Sequence, residues 1–471
     1  MPGAQPRFQK ATLLPAIRSA LALGCEIQRK SGWDRKHYFH WDQPNGYQIT
    51  QYYSPFAKDG AVVLTAEDGV LAADLDANGE LRVGVKQVQM EQDTAKTIAH
   101  GNSYHVDLNR AGLPLIEVIS LPHIHSPQAA AAYVRKVQGA LKAVDACTTG
   151  MEAGGLRADV NVSIKGKGEV GRGEYSGVVG LGQRTEIKNL SSFRAVEDAI
   201  VAERDRQIAV LESGGFVEGE TRGWTLGDTE TRRLRGKEGE VDYRYMPDAD
   251  LPPLFIGNDL VQMLRETLPE LPDRTVARVA KEYGITLKDA RTLASLDDGD
   301  RLEFMEEVVA SIIARLPQTP MQVAAKAATN WILMELGGLL TTSNTNWQEI
   351  RLTSQELADL IANVLDKQIT ARVAKQLLAV LVENKDSNAR PSADVLIDEG
   401  DLRLQPLSEE EYRALAQKVI DGSPGMVAAV VEKGQKGKLM WFVGQMVRNS
   451  KEGTVEPQKA REVIEALLLP G

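Results

Sequence analysis

The sequence predicts an α+β chain, with a sheet-rich part first and a helical part after it. Three observations carry that prediction. Up to about Ile256 the chain is rich in glycine and in short alternating segments, the pattern of a mixed sheet with a few helices. Beyond Leu268 helical periodicity takes over. At 471 residues the chain exceeds the usual size of a single core, so two or three domains are expected. Their expected bounds are 1–256, 257–320 and 321–471, and no internal repeat or low-complexity tract crosses them.

In the first part, four segments alternate so that each acquires a polar face. In VQMEQD, Val88 and Met90 oppose Gln89, Glu91 and Asp93. In LPLIEVIS, Glu117 falls on the face of Leu115 and Ile119, as a lone acid on an apolar strand. A buried carboxylate in that position is costly unless it is paired or binds a cation. In LRADVNVSI, Arg157, Asp159, Asn161 and Ser163 share one face, opposite Val160 and Val162. In QRTEIKN, Arg184, Glu186 and Lys188 line up.

Between the second and third of these strands, PHIHSP reads as a turn, which leaves His123 and His125 on the surface. The part closes on KEGEVDYRYMPDADLPPL, Lys237 to Leu254, where Tyr243 and Tyr245 bracket Arg244 among acids and Pro252-Pro253 ends the segment. Residues before proline are driven toward extended geometry, so the segment should be a strand or stiff arm.

The helical part opens with PELPDRTVARVAKEYG, where proline and aspartate precede a helix and glycine follows it. After the linker-like Leu316 to Met321 come VAAKAATNWILMELGGLL, TSQELADLIANVLDKQ, ITARVAKQLLAVLVEN and EEEYRALAQKVID, all amphipathic. Thr353 or Ser354 can cap the second of them, with Glu356 close behind.

Composition excludes several classes. No run of ~18 apolar residues is present to span a bilayer. Cys25 and Cys147 are the only cysteines, which rules out a disulfide framework or a cysteine zinc site and suits a reducing compartment. A net charge of −10 argues against nucleic acid held by general attraction. Any RNA contact should therefore be local. Between Glu432 and Arg461 seven basic residues, among them Lys433, Lys436 and Lys438, face three acids, a local excess of four. Charge alone fits a solvated helix face as well as an RNA contact.

A sheet floor of acids with interspersed Arg and Lys suits phosphoryl transfer, with carboxylates for Mg²⁺ and cations for phosphate oxygens. Alternating charges on an exposed antiparallel face are the ordinary alternative for any one strand. No Walker A sequence and no GxGxxG after a strand occurs, so ATP would need a sheet-and-carboxylate site.

Seven segments resemble one family in order and along essentially the whole chain. They are DRKHYFHWDQPNGYQITQYY (from Asp34), VDLNRAGLPLIEVIS (from Val106), MEAGGLRADVNVSI (from Met151), QRTEIKNLSSFR (from Gln183), GETRGW (from Gly219), the Lys237 to Leu254 segment and GKLMWFVGQMVR (from Gly437). The family is the GatB subunit of the glutamyl-tRNA(Gln) amidotransferase, in its mitochondrial, fungal-type form. The resemblance implies a glutamine-synthetase-like cradle, an all-α connector and a YqeY-like helical tail that contacts tRNA. It implies ATP-dependent amidation of Glu-tRNA(Gln) through a γ-phosphoglutamyl intermediate, with ATP and Mg²⁺. Ammonia would come from an amidase-type glutaminase subunit, alongside a small third subunit of the C or F type, in the mitochondrial matrix.

By motif position Glu117, Glu91 and Asp93 match metal ligands, with Gln92 standing where the family commonly has a second glutamate. Glu91, Glu117 and Lys36 are the expected catalytic groups. Arg157, Asp159, Arg184, Glu186, Lys188 and Arg244 are expected around the nucleotide, and Lys433, Lys436 and Lys438 at the tRNA. Met1 to Pro6 matches an interior family stretch, so a strand with a Gly-Leu-Glu-(Ile/Val)-His motif is expected to be missing ahead of it, along with its ligands. The truncated chain is expected to be inactive and to expose a strand edge. A noncatalytic tRNA-binding scaffold with a decayed site is the alternative function.

Overall fold

The computed structural model describes residues 5–38, 46–164, 174–175, 178–179, 182–236, 243–383, 391–404, 407–432, 434–450 and 454–469. They divide into two compact units, residues 1–272 and 273–471.

The first unit is built on two four-stranded sheets. One has the order β1 (Glu26–Ile27), β5 (Ala57–Thr65), β6 (Glu80–Gln92), β9 (Pro114–Ser120), all antiparallel. The other has the order β10 (Ala158–Val162), β13 (Thr185–Leu190), β14 (Glu220–Gly223), β15 (Arg232–Gly236), with β13 and β14 parallel. A smaller sheet joins β3 (Asp34–His37) to β4 (Tyr47–Thr50) and to β16 (Met246–Pro247). Three two-stranded ladders complete the set: β2 (Lys30–Ser31) with β17 (Leu254–Phe255), β7 (Lys96–His100) with β8 (Ser103–Asp107), and β11 (Glu174–Tyr175) with β12 (Val178–Val179).

Helices cover these sheets. Helix α1 (Leu13–Ala22) packs Ile17 and Ala20, both wholly buried, into the first core. Its crossing over β5 is close: a Cβ at Gly60 would lie 2.6 Å from the Leu23 carbonyl oxygen, so only glycine fits there. Helix α2 (Pro127–Ala143) starts where the Ser126 side chain accepts from the Ala129 amide, and proline fills the first helical position. Helix α3 (Phe193–Glu212) starts in the same way at Ser192. Helix α4 (Asn258–Glu266) buries Leu264 in the core of α1. Two cores result, one around Phe56, Leu64, Val83 and Val88, the other around Ile187, Leu190, Val196 and Ala199.

The second unit is helical. One core runs from Val276 to Ile397 with no break at 320, and a second runs from Tyr412 to Leu468. Helix α5 (Pro272–Tyr283), α6 (Leu287–Ser295) and α7 (Asp300–Arg315) lead to α8 (Met321–Asn330). The stretch 323–340, which reads as one amphipathic helix, is instead α8, a π-helical turn over Trp331–Leu336 and α9 (Gly337–Ser343). The Gly337-Gly338 pair sits where the turns change, at a point of weak helix propensity.

Helix α10 (Ser354–Leu365) is capped by Thr353 in a full capping box with Glu356. Helices α11 (Ala371–Glu383) and α12 (Ala393–Glu399) finish the first of these cores. The second core is made by α13 (Glu409–Asp421), α14 (Pro424–Val431), α15 (Leu439–Arg448) and α16 (Pro457–Leu468). An α+β class, sheets first and helices after, is what the chain adopts.

Candidate active site

A cleft of about 2390 Å³ opens in the first unit. Every residue from Pro114 to Pro122 and from Gly155 to Ile164 lines it. That continuous lining means the cleft runs along the strands' edges and not across one face of them. Both β9 and β10 end their sheets, and among the described residues neither pairs with a further strand on the cleft side.

The acid pair at its centre follows from sheet register. Gln89 on β6 stands directly opposite Glu117 on β9. Its side-chain amide donates to Glu117 Oε2 at 2.7 Å and to Glu91 Oε1 at 3.0 Å, so one glutamine bridges two carboxylates. Glu91 also accepts from Thr50 Oγ1 at 2.8 Å and from Gln48 Nε2 at 3.2 Å, both on β4. Glu117 is exposed to the water inside the cleft while the walls enclose it. Enclosure, together with the neighbouring Glu91 carboxylate, pushes its carboxyl up to about 7, against the opposing pull of Lys36. It is therefore not the buried lone acid that its strand suggests. It is a partnered acid whose neighbours leave the site short of positive charge.

Lys36 on β3 lies among aromatic rings, its ammonium 4.6 Å from the Tyr243 centroid and 5.6 Å from that of Tyr38. Burial alone would lower its pKa, but its anionic surroundings hold it above the ordinary lysine value.

On the opposite wall, Lys188 reaches Asp159 at 3.2 Å and Glu186 at 3.4 Å. Burial opposes its charge, and the two carboxylates more than restore it. Burial lowers the Arg184 pKa, with Glu186 acting against it. Arg157 and Asp159 also border the cleft, both exposed.

Two expected site residues stand apart from the acid pair. Asp93 borders the cleft, but its carboxylate accepts from the Ala95 amide at 2.9 Å and pairs with Arg110 at 3.5 Å, so it does not join Glu91 and Glu117. Among the described residues no group of three or more His, Cys, Asp and Glu is placed to hold a metal ion. Arg244 is exposed and does not border the cleft. Its backbone takes a φ of 43°, a left-handed value that turns the segment, and Tyr243 and Tyr245 line the cleft in its place.

The acids of that segment serve structure. Asp248 and Asp250 grip Arg35 at 2.6 and 2.8 Å and fasten β16 to β3. Gln48, Thr50 and Gln89 order Glu91, and nothing along the chain shows which polar residues of a sheet will stand opposite each other.

The histidines behave as surface groups. His123 and His125 are exposed between β9 and α2, and His100 and His105 face each other at 5.0 Å on the exposed β7–β8 hairpin. Of the tail residues expected at tRNA, Lys433 lies outside the described residues. Lys436 begins a short 3₁₀ turn, and Lys438 is half-buried at its end.

Comparison with known proteins agrees with this architecture. Residues 1–262 match the family described as the GatB/GatE catalytic domain, and residues 303–468 match the GatB domain. The GatB subunit of the mitochondrial glutamyl-tRNA(Gln) amidotransferase from Talaromyces marneffei is 55% identical over 477 residues, covering 100% of this chain and 79% of that protein. Its namesake from Emericella nidulans is 54% identical over 474 residues, covering 99% and 77%. That of Aspergillus oryzae is 55% identical over 475 residues, covering 99% and 79%. With one family domain matched over more than half of the chain, and relatives about 55% identical that cover nearly all of it, the chain belongs to the GatB family of glutamyl-tRNA(Gln) amidotransferase subunits.

Proposed function

We propose that this chain is the amidating subunit of a mitochondrial glutamyl-tRNA(Gln) amidotransferase, which converts glutamate esterified to tRNA(Gln) into glutamine at the expense of ATP. The observation that carries the proposal is the Glu91–Glu117 pair, bridged by Gln89 and set in a cleft with Lys36 and Arg184 on its walls.

A carboxylate is a poor electrophile, and the reaction answers that in two steps. An oxygen of the substrate γ-carboxylate attacks the γ-phosphorus of ATP, the bond from phosphorus to the bridging oxygen breaks, and ADP leaves. Ammonia then attacks the acyl carbon, the C–O bond to phosphate breaks, and a proton leaves the new amide nitrogen. Such transfers ask little covalent work of the protein and much neutralisation and positioning.

The donor set fits a hard divalent cation: two carboxylates share a site lacking a full counter-charge, and Glu91 and Glu117 would hold Mg²⁺, which neutralises phosphate charge when bound. Lys36 places a positive charge on the wall. Arg184 adds a second. Lys188 is already balanced by Asp159 and Glu186, so it holds those acids in place and does not meet phosphate directly. Ammonia would be delivered by an amidase-type glutaminase subunit, with a small third subunit completing the enzyme. The helical second unit would contact the tRNA body.

The test is Glu117→Gln in the assembled enzyme. Amidation of Glu-tRNA(Gln) should fall by roughly two orders of magnitude or more, while tRNA binding stays unchanged. Normal turnover by the variant would remove Glu117 from the reacting site and overturn this reading of the cleft.

A further inference from the structure

Five of the chain's 11 tyrosines meet in one place, from three separate stretches of sequence. Tyr52 stacks on Tyr245 with centroids 4.5 Å apart and planes 12° from parallel. Tyr53 meets both edge-on, at 5.1 and 5.7 Å. Tyr243 touches Tyr245 at 5.9 Å, and Tyr38 touches Tyr243 at 5.6 Å. The arrangement is held against local preference. Arg244, between two of the rings, keeps its left-handed φ of 43° while the Tyr243 carbonyl accepts from the His37 amide at 2.9 Å. The Arg244 carbonyl lies 2.9 Å from His37 Nδ1.

A cluster that served only the core would be covered. This one leaves Tyr52 41% and Tyr53 64% exposed, and neither ring belongs to a hydrophobic core of the unit.

The cluster is also wired to the acid pair. The Tyr38 hydroxyl donates to Gln48 Oε1 at 3.1 Å, and Gln48 Nε2 donates to Glu91 at 3.2 Å. Lys36 lies against Tyr243 and Tyr38, and Tyr52, Tyr243, Tyr245, Lys36, Glu91 and Glu117 all line the cleft, with Tyr53 packed edge-on against Tyr52 beside it. That set of groups matches a nucleotide: a flat base, an anionic linker, and a reacting end that belongs at the acids. Exposed aromatic rings receive unstacked bases in this way wherever single-stranded nucleic acid is held.

We propose that Tyr52 and Tyr53 form a stacking seat for an adenine ring, placed so that the rest of the nucleotide runs past Lys36 toward Glu91 and Glu117. The inference rests on the reading given under Proposed function, in which both substrates supply such a ring: ATP carries one, and tRNA ends in a 3′-adenosine. Neither partner of the seat requires hydrogen bonding from the phenol. Phenylalanine should therefore substitute for tyrosine and alanine should not.

The experiment measures binding of three probes to the full chain by calorimetry: ATP, a short RNA ending in 3′-CCA, and tripolyphosphate, which has no base. The proteins compared are the wild type, Tyr52→Ala/Tyr53→Ala and Tyr52→Phe/Tyr53→Phe, with circular dichroism to show that each is folded. For one adenine probe the alanine pair should weaken binding roughly tenfold or more, the phenylalanine pair should restore it, and tripolyphosphate should bind all three proteins alike. Loss confined to ATP assigns the seat to ATP, and loss confined to the RNA assigns it to the 3′ end.

Unchanged binding of both probes by the alanine pair overturns the proposal. So does failure of the wild type to bind either probe, or an equal loss for tripolyphosphate. Because the readout is base binding, the seat can stand even if the assembled enzyme proves unable to amidate Glu-tRNA(Gln), and the two failures are told apart.

Discussion

Glu117 shows how a single side chain can be stabilised and penalised by the same neighbours. Gln89 donates to it, yet Glu91 stands beside it with like charge. Its carboxyl is raised from an ordinary 4.5 to about 7, so the folded chain holds this proton more tightly than the unfolded chain does. Below pH 4.5 both states are protonated and the group contributes nothing to the pH dependence. Between 4.5 and 7 the unfolded state gives up its proton first, so stability falls as pH rises, and above 7 the penalty is complete. Glu117→Gln should therefore leave Tm unchanged at pH 4 and raise it at pH 8, on the order of 2 °C, in melts run without divalent ions. A lower Tm for the variant at pH 8 would show that the carboxylate is stabilising without a cation, and would remove the physical basis for a cation site.

At the scale of elements, β13, β14 and α3 are joined by a buried ionic knot. Glu203 on α3 is wholly buried and accepts from Thr185 at 2.7 Å, Gln207 at 3.0 Å, Thr231 at 2.6 Å and Arg206 at 2.7 and 3.0 Å. Arg222 lies 3.2 Å from it and also pairs with Glu220. Burial would raise this carboxyl, but the donors outweigh burial and hold it down at about 2. Glu203→Gln breaks a saturated buried charge cluster and should destabilise the first unit by about 3–5 kcal/mol, read as a shift of the urea midpoint. A loss under ~1 kcal/mol would mean that water enters the knot.

The knot also marks the limit of what the sequence shows locally. Asp159 and Asn161 are exposed while Val162 is buried, and Thr353 caps α10, because strand alternation and caps are properties of a few adjacent residues. The Gln89–Glu117 bridge, the tyrosine cluster and Glu203 with Arg222 join residues 28, 193 and 19 positions apart. Such pairings depend on register and helix docking, which no local pattern encodes. An acid at Glu203, in a helix whose other buried residues include Ala195, Val196, Ala199 and Ala202, was the one available sign of a partner.

Across the whole molecule, the proposed chemistry and the proposed RNA contact fall in different units, each with its own cores. In a chain of net charge −10, the basic stretch near the end of the second unit is where phosphate should be felt. Neutralising Lys433, Lys436 and Lys438 together should weaken tRNA binding and flatten the dependence of log affinity on log salt, by close to one unit of slope per lost phosphate contact. An unchanged slope would assign those lysines to solvent.

The first unit holds a mechanical asymmetry as well. Glu91 rides near the end of β6, where the ladder to β5 has already stopped at Val88, but its carboxylate is tied to Thr50 and Gln48 on β4 while its backbone pairs with β9. Glu117 rides on β9, which is laced on one side only, and its carboxylate accepts from Gln89. An acid anchored from both margins of its strand is held still, and one on a strand tied along a single margin yields. Of the two acids, Glu91 is thus the anvil and Glu117 the jaw: the spacing between them can adjust to whatever charge enters, while the frame of reference stays still.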